Sequence, residues 1–252
     1  MSVVENLKSD QDYRARIYGQ YVKARQHSLA PASLDDIRPR LPMMRRIIRN
    51  RFPRKKDAAI VDLGCGHGAF LYACMQEGYR NAVGVDRSPE QVAEAKRLGI
   101  AGVIEGDLME YLRGLPDDSQ DVVICFDVIE HFTKEELLPF IDQVFRVLKK
   151  DGVWVLHIPN GESPFGMMML AWDFTHEISF TRTSIAQLLI SSGFSQVSCE
   201  EDAPVPHGVK SGARWMLWKM IRMSFRFYMA VETGVLSKEQ IFTMNFLAYA
   251  RK

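Results

Sequence analysis

The sequence predicts an α/β fold, a mostly parallel sheet with helices on both faces. Three observations carry that prediction. Four short apolar runs, residues 58–63, 82–85, 102–105 and 121–126, each end at a polar or acidic residue and lead into a helix-like stretch. The first of them opens into Gly64-Cys65-Gly66-His67-Gly68, a glycine turn with Asp62 two places ahead of its first glycine. Residues 134–149 then set Leu137, Leu138, Ile141, Val144, Phe145 and Leu148 on one helical face, just before a fifth apolar run at 153–158. Acid at the carboxyl ends of parallel strands marks where a ligand crevice forms.

Taken in order, residues 12–27 are polar, with Tyr13, Ile17, Tyr18 and Tyr21 at spacings of three and four, which predicts a helix packed on the sheet edge. A second helix is expected from Leu41 to Phe52. Its Arg45, Arg46, Arg49 and Arg51, continued by Arg54, Lys55 and Lys56, form a basic run that reads as a solvated face, or else as a contact for an acidic substrate or a membrane surface. Residues 1–57 therefore make an N-terminal helical segment. The glycine turn joins a buried strand to the helix from Ala69; its backbone can turn tightly and approach a ligand, and amides at a helix start favour an anionic group. Ser88-Pro89 is a helix start with a capping serine, and Gly99 closes that helix.

Beyond the fifth strand, residues 159–182 are too long for a bare connection and read as a lid over the crevice. A helix at 185–191 and Gly193-Phe194 lead to a sixth strand near 196–199, completing a core at 58–202. Residues 203–235 are an insertion before the last strand, expected from Phe242 to Ala250 within residues 236–252, which brings the sheet to seven strands. The insertion holds an apolar and aromatic helix, residues 214–229, with Lys219, Arg222 and Arg226 as one stripe. It reads as core, as a homodimer seam, or as an interfacial helix against lipid headgroups.

Composition narrows the setting. A formal net charge of +1 over 252 residues supplies no global field for nucleic acid. Cys65, Cys74, Cys125 and Cys199 lie far apart without a C-x-x-C pair, as reduced thiols do, and specify neither a disulfide framework nor a zinc site. The first eight residues lack the basic and apolar regions of a signal peptide, and no apolar stretch reaches the roughly 18 residues of a membrane span. A cytoplasmic protein is expected, with room for peripheral attachment at the inner membrane face.

With these motifs in order, residues 58–197 resemble the class I S-adenosylmethionine-dependent methyltransferases, whose sheet is Rossmann-like. Asp62-Leu63-Gly64-Cys65-Gly66-His67-Gly68 is similar to that family's first motif, Gly84-Val85-Asp86-Arg87-Ser88 to its second, Glu105-Gly106-Asp107-Leu108 to its third and residues 126–131 to its fourth. Before the fifth strand, Asp151-Gly152 stands where family members usually carry Pro-Gly. The resemblance implies S-adenosyl-L-methionine as cofactor. It implies that Asp62 faces the methionyl ammonium, that Gly64, Cys65, Gly66 and Gly68 give clearance, and that Asp86, with Arg87 beside it, holds the ribose hydroxyls. Asp107 and Leu108 would meet the adenine edge, and Phe126 and Asp127 would line the methionine end. For Asp86 and Asp107 the other reading is a strand-end turn residue. The resemblance also gives the segment before the first strand a second reading, a flap that closes the site.

Methyl transfer to a hydroxyl needs alignment, exclusion of water and a base. The candidates are His131, then His176 and Glu177, with Glu130 as an orienting partner. Relatives that methylate quinone precursors have a similar Glu-His pair near a metal, which raises a divalent ion; no pair of carboxylates at a fixed spacing supports it, and no metal ligand is assigned. The lid pattern Asp173-Phe174-Thr175-His176-Glu177 resembles bacterial methyltransferases of cell-surface polysaccharide and natural-product pathways. That implies a small-molecule acceptor, a sugar or glycan-precursor hydroxyl, with quinone-precursor O-methylation or N-methylation as alternatives. An NAD-dependent dehydrogenase is disfavoured by the acid before the first glycine. A non-catalytic, membrane-associated cofactor-binding protein is the reading of another class.

Overall fold

The computed structural model describes residues 13–24, 31–235, 237 and 239–252; the leader reading at residues 1–8, the ends of the first helix reading (Asp12 and 25–27) and residue 236 at the start of the last segment lie outside them. Seven strands form one sheet in the order β3-β2-β1-β4-β5-β7-β6. They are β1 (Ile60–Leu63), β2 (Ala82–Asp86), β3 (Val103–Glu105), β4 (Gln120–Phe126), β5 (Leu148–Pro159), β6 (Gln196–Glu201) and β7 (Asn245–Arg251). The first five are parallel, and β7 runs antiparallel between β5 and β6. The predicted α/β sheet, with its seven strands, is what the chain forms.

Two helices, α1 (Tyr13–Tyr18) and α2 (Tyr21–Ala24), precede α3 (Leu41–Arg51). Then come α4 (Ala69–Gln76), α5 (Pro89–Arg97), α6 (Leu108–Gly114), α7 (Lys134–Val147), α8 (Gly166–Trp172), α9 (Arg182–Ser191) and α10 (Val209–Thr233). Alternation along the strands builds a core on each side of the sheet. Val61, Leu63, Val123, Trp154 and Leu156 face α7 and α9, where Phe140, Val144 and Leu189 close over them. Ile60, Ile124 and Val155 face α3 and α4, meeting Ile47, Ile48 and Phe70. Each such side chain stabilises by about 1.5–3 kcal/mol relative to exposure. Caps fix the helix starts: Thr133 accepts from the amide of Glu136 while the Glu136 side chain accepts from the amide of Thr133, and Ser88 caps α5 from its side-chain oxygen.

The last strand begins at Asn245, three residues later than the apolar run suggests. Buried Asn160 explains the delay, because its Nδ2 donates to the carbonyls of both Ile241 and Thr243, 2.9 Å each, and holds that stretch as a loop.

Of the three readings of the insertion, burial in the core is corrected: no residue of α10 is buried. Its Arg222 turns inward, with Nε 2.6 Å from Glu201 Oε2. Met220, Met223, Phe227 and Val231, at spacings of three and four, are exposed. The apolar face therefore looks outward. Among the described residues, no helix is long and apolar enough to cross a membrane.

Candidate cofactor and acceptor site

One cavity of about 760 Å³ lies across the carboxyl ends of the parallel strands, within the size range of small-molecule sites. Asp62, Asp86, Asp107 and Asp127 all line it, so the four strand-end acids converge as expected. Gly64, Cys65, Gly66, Arg87, Leu108, Phe126 and His131 line it too.

The glycine turn is held by its backbone geometry. Gly64 and Gly66 lie at φ +72° and +55°, and a Cβ on Gly64 would sit 2.5 Å from Val128 Cγ2. The Gly64 and Cys65 amides donate to the Val85 carbonyl at 2.8 and 3.1 Å, which ties the turn to the end of β2. Asp86 completes the tie: Oδ2 accepts from the Gly66 amide at 2.7 Å and Oδ1 from the Ser88 amide at 2.8 Å. Each oxygen keeps acceptor capacity, enough for a pair of ribose hydroxyls. Asp107 satisfies both readings at once, since Oδ1 caps α6 by accepting from the amides of Met109 and Glu110 while the residue lines the cavity. Gly68 stands apart: it is not in the lining, and a Cβ there would meet Ile100 and Val103 at 2.9 Å. Its part is packing. Burial pushes the Cys65 thiol up, leaving it a small packed side chain with no reactive thiolate.

Asp62 is 2% exposed, and its Oδ1 has no hydrogen-bond partner. Burial, reinforced by the charge of Asp86, raises its pKa well above the ordinary carboxyl range. An orphaned carboxyl in the cavity wall beside the glycine cradle fits an incoming ammonium, so the residues present suit S-adenosyl-L-methionine.

Asp127 sits in the left-handed region at φ +55°. Its Oδ1 meets Nδ1 of His157 at 2.7 Å, and Nε2 of His157 meets Asp202 Oδ2 at 3.3 Å. The Phe126 ring stacks on His157 with centroids 5.0 Å apart. Burial opposes the imidazolium, but the Asp127 carboxylate overcomes it and the His157 pKa is pushed up to about 10. Sequence reasoning missed His157 and Asp202, because no motif marks them; only the register pairing Phe126 with His157 brings them to the site.

The second half of the cavity comes from the N-terminal helices and from residues 159–176. Tyr18 and Tyr21 line it, and Tyr21 donates to Asp173 Oδ2 at 2.8 Å. His131, Glu130 and His176 meet there, with the two imidazole centroids 4.7 Å apart. Thr175 donates its hydroxyl to Asp173 Oδ1 at 2.7 Å, so its oxygen, 2.8 Å from His131 Nδ1, accepts the imidazole proton. Nε2 of His131 is thereby the lone-pair nitrogen. Burial, with the charge of His176, lowers the His131 pKa to about 4, keeping it neutral near neutral pH. Glu177 is placed elsewhere: outside the lining, it accepts from the Tyr13 hydroxyl and lies 3.7 Å from Arg14.

Residues 61–156 match the family described as methyltransferase domain. A probable S-adenosylmethionine-dependent methyltransferase of Mycobacterium tuberculosis is 30% identical over 149 residues, 58% of this chain and 52% of the relative. One from Mycolicibacterium smegmatis is 36% identical over 104 residues, 40% of this chain and 38% of the relative. The chain thus spans about half, or less, of the length of these curated relatives. The crystal structure of a SAM-dependent methyltransferase from Archaeoglobus fulgidus is 22% identical, covers 87% of this chain and 98% of its own, and superimposes with a TM-score of 0.62. It shows the fold. The glycine turn and the convergent strand-end acids lie in that fold, and over residues 61–156, where they stand, the chain matches a methyltransferase domain.

Proposed function

We propose that the protein transfers a methyl group from S-adenosyl-L-methionine to a hydroxyl of a small molecule, a sugar or glycan precursor. The observation that carries this reading is the division of one cavity into two halves. Strand-end acids and glycines line one; the lid and N-terminal helices line the other. When bound, the cofactor supplies an electrophilic methyl on sulfur. Asp62 would pair with its ammonium and Asp86 with its ribose. Tyr18, Tyr21 and Trp172 offer ring faces beside the hydrogen-bonding Arg14, Asp173 and His131, a mixture suited to a polyhydroxy acceptor. His131, neutral and fixed by Thr175, presents Nε2 to take the hydroxyl proton as oxygen attacks in line. Its second choice is His176; Glu177 would act by holding the N-terminal segment closed through Tyr13 and Arg14.

The outward apolar face of α10 supports a contact of residues 214–229 with a membrane surface, at the inner face for a cytoplasmic protein, with a homodimer seam as the other occupant. Incubation with methyl-labelled cofactor and panels of sugars, quinone precursors and amines tests the acceptor. Label in a sugar ether is expected; transfer to amines alone would sink the oxygen reading, and no transfer with intact cofactor binding would favour a non-catalytic role.

A further inference from the structure

We propose that Glu130, His131 and His176 form a binding site for one divalent transition-metal ion, with the Glu130 carboxylate and the two imidazole Nε2 atoms as ligands. One donor atom from each lies within 4.8 Å of the others. They come from two elements: Glu130 and His131 from the 3-10 turn Ile129–His131 after β4, and His176 from the lid. The elements are joined, because the Glu130 carbonyl accepts from the amides of Glu177 and Ile178 at 2.7 and 3.1 Å. The lid histidine is therefore carried over the turn by backbone bonds.

Glu130 supplies the strongest reason to look for a cation. It is 0% exposed, and neither carboxylate oxygen has a hydrogen-bond partner. His176 Nε2 lies 3.9 Å from Oε1. A buried carboxylate left in that state is costly unless it is paired or holds a metal.

Each imidazole is set up as a ligand by what its other nitrogen does. His176 Nδ1 lies 2.9 Å from the Met169 carbonyl, which can only accept, so Nδ1 carries the proton and Nε2 the lone pair. His131 is fixed the same way by Thr175, which is backed by Asp173. Metal-ligating histidines are oriented through such outer contacts, in which the second ring N–H meets a carbonyl, a carboxylate or another acceptor. Two nitrogens and one carboxylate are a donor set for zinc, cobalt or iron, and not for magnesium or calcium, which take oxygen ligands. Ligands about 2.0–2.1 Å from zinc lie at most about 4.2 Å apart, so an ion would draw the widest pair slightly inward. All three residues line the cavity, which leaves the ion's remaining positions toward the acceptor side. On a bound ion, Nε2 of His131 is a ligand and no longer a free base.

A bound ion would take His131 and His176 out of the base role proposed above, but none of the three ligands is a cofactor contact, so the site can be tested without turnover. The full chain is stripped with a chelator, desalted and titrated with Zn²⁺ by calorimetry, alongside S-adenosylhomocysteine as a separate measure of the cofactor half. One ion per chain is expected. Glu130→Gln and His176→Ala should each lose it while S-adenosylhomocysteine still binds, and Thr175→Val should weaken it by about 10- to 100-fold, as loss of an outer partner does. His207→Ala, on an exposed histidine outside the cluster, should leave it unchanged. If the ligand variants fail to fold by circular dichroism, Co²⁺ bound to the unaltered protein decides: visible bands of nitrogen and oxygen ligation support the site, and a thiolate charge-transfer band overturns it. Absence of binding by the unaltered chain, or equal affinity in both ligand variants, also overturns it.

Discussion

Asp127 and His157 are joined at 2.7 Å across the β4–β5 ladder, carboxylate to imidazole, with the ring of Phe126 stacked on the histidine. The pair positions a cavity residue from beneath. Because the folded pKa of His157, about 10, lies above its unfolded value, its stabilisation is complete below the unfolded pKa. It is lost as pH rises through about 10. Asp127, lowered by His157 against the effect of burial, contributes above the ordinary carboxyl pKa and loses its contribution as pH falls through its depressed value. His157→Gln is expected to cost about 1.5–3 kcal/mol at neutral pH, the worth of a hydrogen bond to a charged group, because the imidazole is buried while the Asp127 carboxylate is nearly half exposed. It should also flatten the decline in stability toward alkaline pH, read from urea midpoints across a pH series.

Asp86→Ala removes the acceptor of the Gly66 and Ser88 amides together with the proposed ribose contact. Hydrogen bonds to a charged group are worth about 1.5–3 kcal/mol. The dissociation constant for S-adenosylhomocysteine, measured by calorimetry, is expected to rise by about 10- to 100-fold.

Asp62 holds its proton above the ordinary carboxyl range, through burial and then through the nearby Asp86 charge. An ammonium ligand requires the carboxylate. Affinity for S-adenosylhomocysteine should therefore strengthen as pH rises from mildly acidic toward the raised pKa, with proton release on binding. Asp62→Asn should bind weakly and lose this part of the pH dependence; titrations in buffers of different ionisation enthalpy check both.

Gly64→Ala forces a Cβ to within 2.5 Å of Val128 Cγ2 in a left-handed backbone. A loss of about 1–3 kcal/mol is expected from strain and overpacking. Adding Val128→Ala should recover the steric part but not the backbone part, which thermal denaturation of the single and double variants will separate.

Met220→Glu with Phe227→Glu should leave stability nearly unchanged, because both side chains are exposed in α10. Sedimentation with anionic vesicles is expected to fall in this variant. If light scattering shows instead a dimer that the substitutions split, the face is a seam.

The strand-end acids were legible because each closes or follows an apolar run. Strand and acid are neighbours in the chain, so Asp62, Asp86, Asp107 and Asp127 reach one cavity once the sheet is parallel. The boundaries of α3 and of β6 differ from expectation only by a residue or two, as helix and strand ends do. His157 and Asp202 were not legible, since their meeting depends on register and on a chain return. Glu177 looked equivalent to His176, yet adjacent residues in an extended segment point to opposite sides, and it went to Arg14. The α10 pattern misled differently: hydrophobic spacing reports that a face is apolar, and says nothing of what covers it.

The final strand has a consequence for assembly. Among the described residues β6 pairs with β7 alone, and β7 also supplies the outer partner of β5 from Val153 to Pro159. As the chain leaves the ribosome, the first five strands can pair in sequence, but β6 must wait without a neighbour until residues 245–251 emerge. Until then an open β5 edge invites foreign strands, so a protein shortened by its last eight residues should misassemble and be degraded, even though every group that lines the cavity up to Asp173 and His176 has already been made.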